Sequence, residues 1–284
     1  MINQLKTIFL LGAISAILVA LGAVMGGSWF WVAVVLAFVM NVGSYWFSDR
    51  IVLAISRAVP VDEVEAPRLH AIVADLARRA DIPKPRVYRI PDAQPNAFAT
   101  GRNPATGVVA VTDGLVRLLD ERELRGVIAH EIAHIRNRDV LVSSIAAVMA
   151  AAISSVANML QWSTILGGND EDGPSPVAAL AVAMVAPFAA MLIQFGISRQ
   201  REYLADEWGA RISGDPMALA SALEKLHHGA ALVPSHAAPA TASLYIVNPF
   251  GGGRRLMQLF STHPAVEVRV DRLRRMSVDP RFRS

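Results

Sequence analysis

The side chains with the clearest chemistry are His130, Glu131 and His134, in the pattern His-Glu-x-x-His. On a helix of 3.6 residues per turn, both imidazoles leave the same face. Two neutral imidazoles at this spacing can hold one zinc ion, and Glu131 can take a proton from a water beside the metal. The flanking residues are apolar, so we expect the trio in a core, where a metal would satisfy it. Structural histidines held only by hydrogen bonds are the alternative.

A catalytic zinc site usually has three protein ligands and a water. Glu202 is the best candidate for the third ligand, in a basic and aromatic stretch that we predict to be helical over residues 198–210. Asp206 lies four residues further along the same helix face. We expect Glu202 on the metal and Asp206 accepting the second ring N–H of a ligand histidine. The alternative is that both carboxylates pair with Arg199 and Arg201 on a solvated face.

His263 is a further candidate for a catalytic role. Pro264 follows it and biases it towards an extended conformation, so we expect His263 to be the N-cap of a last helix. An imidazole held in this way can donate a hydrogen bond to an oxyanion. A histidine that serves only as a cap is the alternative.

The elements that must position these residues are helices and short strands. An amphipathic helix and three strands are predicted over residues 64–80, 85–91, 96–101 and 107–112. Asp120, with Glu123 three residues later, predicts the start of the helix that carries the histidines. That helix is predicted to run to about Asp139, where an apolar stretch begins almost without a break. Further on, a helix capped by Asp215 precedes a long loop over residues 230–253.

The composition indicates a membrane protein. The chain has 284 residues, of which 53% are hydrophobic and 18% charged, and its mean hydropathy is +0.38. Three stretches contain no Asp, Glu, Lys, Arg or His: residues 7–48, 140–169 and 173–198. Because a spanning helix needs about 20 apolar residues, we predict four transmembrane helices, near residues 7–25, 29–47, 140–161 and 177–197. Buried core helices are the alternative.

The basic residues predict the orientation in the membrane. No Lys or Arg lies in the connections between paired spans, residues 26–28 and 162–176, and the second connection is acidic. Positive charge favours the cytoplasmic side, so both large polar segments and both termini are predicted there, with the first span a retained anchor. The absence of cysteine agrees with a reducing compartment. The pI is near 9.6, and we expect the basic residues to interact with an anionic membrane surface. Because these residues are spread out and mixed with acids, we expect no nucleic acid partner.

These predictions divide the chain into four parts. Residues 1–48 form one transmembrane hairpin and residues 140–197 form a second. Residues 49–139, which include the metal helix, and residues 198–284 form the two parts of a cytoplasmic catalytic domain. Because the metal helix leads directly into the third span, we expect the site within a few turns of the bilayer surface.

Five sequence blocks follow one another along the chain. They are residues 95–101 (Pro-Asn-Ala-Phe-Ala-Thr-Gly), 109–115 (Val-Ala-Val-Thr-Asp-Gly-Leu), 130–139, 201–206 (Arg-Glu-Tyr-Leu-Ala-Asp) and 261–264 (Ser-Thr-His-Pro). With these blocks and the apolar stretches, nearly the whole chain resembles the HtpX-type membrane zinc metalloproteases of bacteria, a branch of the group that includes the CaaX prenyl-peptidases. The resemblance implies an α+β zincin-like metalloprotease domain combined with four transmembrane α-helices.

The resemblance also implies roles for individual residues. Glu202 is expected as the third zinc ligand. Asp206 is expected to support the ligands by a hydrogen bond without binding the metal itself. His263 is expected near the scissile group as a stabiliser of the transition state. Arg269 is expected to help organise the site.

For the substrate, the resemblance implies that Asn96, Ala97 and Phe98 line the cleft and bind an extended backbone by strand addition. It implies an integral endopeptidase of the bacterial cytoplasmic (inner) membrane with one Zn²⁺ per chain. The expected partners are the lipid bilayer and polypeptides, mainly misfolded or unassembled membrane proteins, in quality control and stress response. A membrane-anchored scaffold that binds metal without cutting and a prenyl-protein peptidase are the alternatives, and the oligomeric state is left open.

Overall fold

The computed structural model of the protein describes residues 2–25, 27–152, 199–250 and 264–279. Its helices are α1 (Ile2–Met25), α2 (Trp29–Ile55), α3 (Pro67–Arg79), α4 (Asp113–Leu118), α5 (Glu121–Arg136), α6 (Val140–Ala152), α7 (Arg199–Ser213), α8 (Pro216–Leu232) and α9 (Val266–Val278). Its strands are β1 (Val59–Pro60), β2 (Arg86–Ile90), β3 (Ala97–Thr100) and β4 (Val108–Thr112). Short 3-10 turns cover Pro104–Thr106 and Pro239–Leu244.

The strands form one sheet in the order β1-β2-β4-β3. β2 and β4 are parallel, whereas β1 and β3 are antiparallel strands at the two edges. All of β4 is buried, as its run of Val residues suits a strand covered on both faces. The strands predicted near residues 85–91, 96–101 and 107–112 are confirmed with shorter bounds. β1 was not predicted, because two residues carry no periodicity.

α5 lies inside the core. It packs against β3 and β4 and against α3, α7 and α8. Its apolar side chains, among them Val127, Ile128 and Ile132, have no exposed surface. A helix that is apolar on most of its faces is stable only when other elements cover it. This packing carries the His-Glu-x-x-His pattern into the interior, as the flanking residues predict.

The two ends of α5 are set by local residues. At its start, Asp120 and Glu123 form the predicted capping box, in which each side chain accepts from the other's backbone N–H, at 3.1 and 2.8 Å. The predicted end of this helix, near Asp139, is a few residues too late. α5 ends at Arg136, and Arg138 adopts a left-handed conformation with φ of 55°. This residue interrupts the helical hydrogen bonds and turns the chain, so α6 is a separate helix.

α1 and α2 correspond to the first two predicted spans and pack against each other. The segment Phe30–Ile55 is long and apolar enough to cross a membrane, and no other helix within the described residues meets both conditions. Only 11% of its apolar window is buried, and large side chains such as Trp31, Phe38 and Trp46 face outward. α2 continues to Ile55, beyond the end near residue 47 that was predicted for the second span.

The other two predicted spans are less fully described. Of the third, predicted over residues 140–161, the structure describes α6, whose side chains Ile145, Ala146 and Met149 are buried against residues of α1 and α2. The fourth, predicted over residues 177–197, lies outside the described residues. The arrangement of four transmembrane helices therefore stays a prediction.

α8 begins as predicted, with Pro216 in its first turn and Asp215 as its N-cap. The Asp215 side chain accepts from the N–H of Ala218 at 3.0 Å. The long loop predicted over residues 230–253 follows α8, but most of residues 240–247 are buried. This part of the loop therefore belongs to the packed interior.

The last helix starts later than predicted. α9 begins at Val266, with Ala265 in an extended conformation as its N-cap. The prediction that His263 caps this helix is therefore wrong, because two further residues precede the first helical turn. His263 itself lies outside the described residues, and its proximity to the site stays a prediction.

Candidate metal centre

The site is built where α5 and α7 meet. α5 supplies His130 and His134, and α7 supplies Glu202; one ligand atom from each lies within 4.8 Å of the others. The two Nε2 atoms are 3.1 Å apart, and Glu202 oxygens lie 3.8 Å from His130 Nε2 and 3.5 Å from His134 Nε2. Ligand atoms bound at roughly 2.0–2.1 Å to a tetrahedral zinc are about 3.3 Å apart. The three groups therefore fit a single zinc ion with small adjustments.

The other nitrogen of each ring faces a carboxylate. His130 Nδ1 lies 3.0 Å from an oxygen of Asp206, and His134 Nδ1 lies 3.1 Å from both oxygens of Asp139. Because a carboxylate accepts, each Nδ1–H donates, and in the neutral ring Nε2 is then the nitrogen with a lone pair for a metal. Two such imidazoles with the carboxylate of Glu202 make one of the ligand sets that catalytic zinc sites use.

The charges of the cluster also favour a cation. Burial lowers the pKa of His130 to about 4, which keeps its imidazole neutral. Burial would likewise lower the pKa of His134, but the charges of Asp139 and Glu202 outweigh it and raise that pKa to about 9 without a metal. The site therefore holds excess negative charge that a divalent cation would neutralise.

Asp139 is a site residue that the sequence reasoning missed, although it ends the block at residues 130–139. A continuous helix would place it five residues beyond His134 and on a different face. The left-handed turn at Arg138 folds it back to the ring instead. The backbone carbonyl of Asp139 accepts from Nη1 of Arg201 on α7 at 3.3 Å, which ties the turn to the neighbouring helix.

Glu131 is 2% exposed and lies beside the ligands. Burial raises the pKa of its carboxyl to about 8, while a hydrogen bond from the backbone of Ala99 on β3 acts in the opposite direction. A cation bound next to it would lower this raised pKa and favour the carboxylate. A cavity of about 30 Å³, lined in part by Glu131, Ala99 and the three ligands, adjoins it. A space of this size can accept a water molecule beside Glu131.

Arg269 on α9 is fully buried and holds Asp206 in place. Its Nε and Nη2 donate to the two oxygens of Asp206 at 2.9 and 2.7 Å, a bidentate pair. Burial would raise the pKa of Asp206, but the guanidinium keeps it below its usual range. Asp206 therefore pairs with Arg269 and His130 rather than with Arg199 or Arg201.

Gly209 on α7 permits the close approach of the two helices. A Cβ at this position would lie 3.0 Å from both the Cα and the backbone N of His130. Only glycine fits without displacing one of the helices. This contact could not be predicted from the sequence, because it depends on how α5 and α7 pack.

Asn96, Ala97 and Phe98, predicted to bind a substrate backbone, contact the chain itself. The Asn96 amide donates to the carbonyl of Val247 at 2.7 Å and accepts from its N–H at 3.3 Å. The carbonyl of Ala97 accepts from Ile246 N–H at 3.0 Å. All three residues are buried. They lie at the edge of the sheet next to the site, with residues 245–247 packed over them.

This combination of fold and site defines a class. A sheet with an antiparallel edge strand covers a helix with His-Glu-x-x-His, and a glutamate from a later helix completes the ligands: this is the arrangement of a zincin-like metallopeptidase. In agreement, the model of peptidase family M48 matches residues 63–277. The chain belongs to this family, and it is a zinc metalloprotease.

Relatives of similar length support this assignment. A protein named Protease HtpX homolog from Syntrophobacter fumaroxidans is 53% identical over 281 residues, which are 96% of this chain and 99% of that protein. A protein of the same name from Burkholderia thailandensis is 51% identical over 288 residues, covering 99% of this chain and 100% of the other. Both matches cover nearly the whole of this chain.

A solved structure shares the fold. The crystal structure of S. mikatae Ste24p superposes with a TM-score of 0.50 at 17% identity. The match covers 95% of this chain but only 65% of that longer chain. At this identity the likeness concerns the fold alone.

Proposed function

We propose that the protein is a multi-pass endopeptidase of the bacterial cytoplasmic membrane that cleaves misfolded or unassembled membrane proteins in quality control and stress response. The observation that carries the proposal is the joint position of His130, His134, Glu202 and Glu131 in one buried cluster. The outward apolar face of α2 supports a membrane location.

The roles of the residues follow from their positions. His130, His134 and Glu202 would hold one zinc ion, which when bound supplies a Lewis acid that activates water and polarises a carbonyl. Glu131 takes the proton of the attacking water and passes it to the leaving amine. Asp206 keeps the His130 ring in its ligand orientation. His263 is proposed to donate to the oxyanion.

The proposed membrane arrangement has four transmembrane helices, with residues 49–139 and 198–284 in the cytoplasm. Near the end of α2, two arginines lie over aromatic rings: Arg102 is 4.3 Å from the ring centre of Trp46, and Arg50 is 5.7 Å from that of Phe47. These cation–π pairs support a membrane–water boundary at this end of the helix. Aromatic and basic side chains are enriched at such boundaries. The cavity beside the ligands is also lined by Val140 at the start of α6. A site so close to the bilayer suits membrane proteins and their cytoplasmic loops as substrates.

The deciding experiment compares the wild type with Glu131→Gln, each loaded with zinc in detergent and incubated with an unfolded protein. We expect cleavage by the wild type and a loss of about 10²–10⁴-fold or more in the variant, because the general base is absent. Both should bind one zinc ion. Glu207→Gln, at a half-buried position of the same helix as Glu202 where the carboxylate pairs with Arg211, is the control and should cleave normally.

Equal cleavage by the wild type and Glu131→Gln would refute the assigned role of this glutamate. If neither protein cut while each held one zinc ion, the alternative of a non-proteolytic metal-binding scaffold would be favoured instead.

A further inference from the structure

Residues 243–247, which we name the strap, run along the edge of β3. Ile246 N–H donates to Ala97 O at 3.0 Å, and Val247 exchanges two hydrogen bonds with the side chain of Asn96. The ring of Tyr245 packs edge-on against Phe98, with centroids 5.3 Å apart. Successive strap residues thus meet β3 residues in reverse order, as in an antiparallel strand pair.

The edge that the strap covers is the free edge of the sheet. β3 pairs with β4 on its other side, where Asn96 O accepts from Thr112 N–H. Because backbone groups alternate in direction along a strand, those of Ala97 and Ala99 point away from β4. The N–H of Ala97 is bonded to the Asn96 side chain and its carbonyl to the strap. An incoming strand would need this same carbonyl.

The strap also borders the space beside the ligands. Ser243, Leu244 and Ile246 line the cavity of about 30 Å³ beside Glu131. A polypeptide that paired with β3 at this edge would need the place that the strap occupies.

Side chains of the catalytic part hold the strap. Nη1 of Arg269, the residue that pairs with Asp206, donates to Ile246 O at 3.1 Å. Gln94 donates to the carbonyls of Val233 and Pro249 at 2.8 and 2.7 Å, beyond the two ends of the strap. The segment from Tyr245 to Val247 belongs to neither a helix nor a strand. Its backbone is therefore held by hydrogen bonds that another extended chain could replace.

We infer that the strap is an internal occupant of the position that a substrate strand takes, and that a substrate must displace it to be cleaved. This inference rests on the proposed function and adds regulation to it. A long unfolded segment can replace the strap's contacts along β3, whereas a short peptide replaces few of them. The protein should therefore hydrolyse short peptides slowly and unfolded chains faster.

The first test weakens the strap from its own side. Ile246→Pro removes the N–H that Ala97 O accepts, and Tyr245→Ala removes the ring against Phe98. For each variant we expect kcat/KM on a short fluorogenic peptide to rise about fivefold or more, since one neutral hydrogen bond shifts an equilibrium by roughly this factor. Zinc content should match that of the wild type. Leu232→Ala, at an exposed residue ending α8, is the control and should leave the rate unchanged.

The second test measures hydrogen exchange in zinc-loaded Glu131→Gln, with and without an unfolded protein. We expect the amides of Ile246 and Val247 to exchange faster when the unfolded chain is bound, because it takes over their partners on β3. Unchanged or slower exchange with the chain bound would overturn the inference.

The two proposals fail in different ways. If the wild type cleaves but both strap variants are slower, with the same zinc content and thermal stability, the strap is a fixed wall of the cleft and the inference falls. If the wild type binds zinc and cleaves nothing, the proposed function falls, whereas the exchange experiment still reports whether a bound chain displaces the strap.

Discussion

Each ligand histidine is oriented by its own carboxylate. Asp206 on α7 orients His130, and Asp139 orients His134. Asp139 lies on the turn after α5, at 3.1 Å from His134 Nδ1. Asp139→Asn should lower zinc affinity by about 10–100-fold, because the acceptor that fixes the ring loses its charge. Competition with a chelator of known affinity measures this. Asp271→Asn, an exposed acid on α9, should bind zinc like the wild type, and an unchanged affinity in Asp139→Asn would contradict the assigned role.

Arg269 is a positioning residue that acts through Asp206. Arg269→Met should lower the free energy of unfolding by about 3–5 kcal/mol, because it leaves a buried carboxylate without its partner. Urea denaturation of the zinc-free protein in detergent measures the loss. The double variant Arg269→Met with Asp206→Asn should recover part of this stability. A double variant less stable than Arg269→Met alone would argue against a stabilising ion pair.

At the scale of elements, the metal centre depends on the distance between α5 and α7. Gly209→Ala should reduce the free energy of unfolding by about 1–3 kcal/mol through overpacking against His130, and it should weaken zinc binding by moving Glu202. Gly43→Ala is the matched control, since a Cβ there meets nothing within 4 Å. Thermal unfolding and zinc titration of both variants test the idea. Equal behaviour of the two would show that α7 adapts without cost.

For the whole molecule, the catalytic part is fastened to the apolar helix α2. Arg86 pairs with Asp49 at 3.0 Å, and Arg102 stacks on Trp46. We predict that reporters fused after residue 284 or inserted near residue 81 report the cytoplasmic side. Reporters placed after residue 27 or near residue 170 should report the opposite side, because positive charge is retained in the cytoplasm. A cytoplasmic signal near residue 170 would refute the four-span arrangement.

Much of the site could be predicted because it is local in sequence. The spacing of His130 and His134, the capping box at Asp120, and the strand of β-branched residues at 108–112 each depend on residues within a few positions of one another. The helix of Glu202 was likewise predicted from its neighbours. The boundaries were less accurate: α2 runs further, and α5 ends sooner, than composition indicates.

The sequence by itself therefore determined the candidate ligands, the general base and the elements that carry them, since helix and strand periodicity fix which side chains share a face. Only the tertiary structure decided that Asp139 turns back to His134, that Gly209 lets α7 meet α5, and that residues 245–247 cover the edge of β3. These contacts depend on a single left-handed turn or join segments far apart in the chain. Their geometry follows from how whole elements pack.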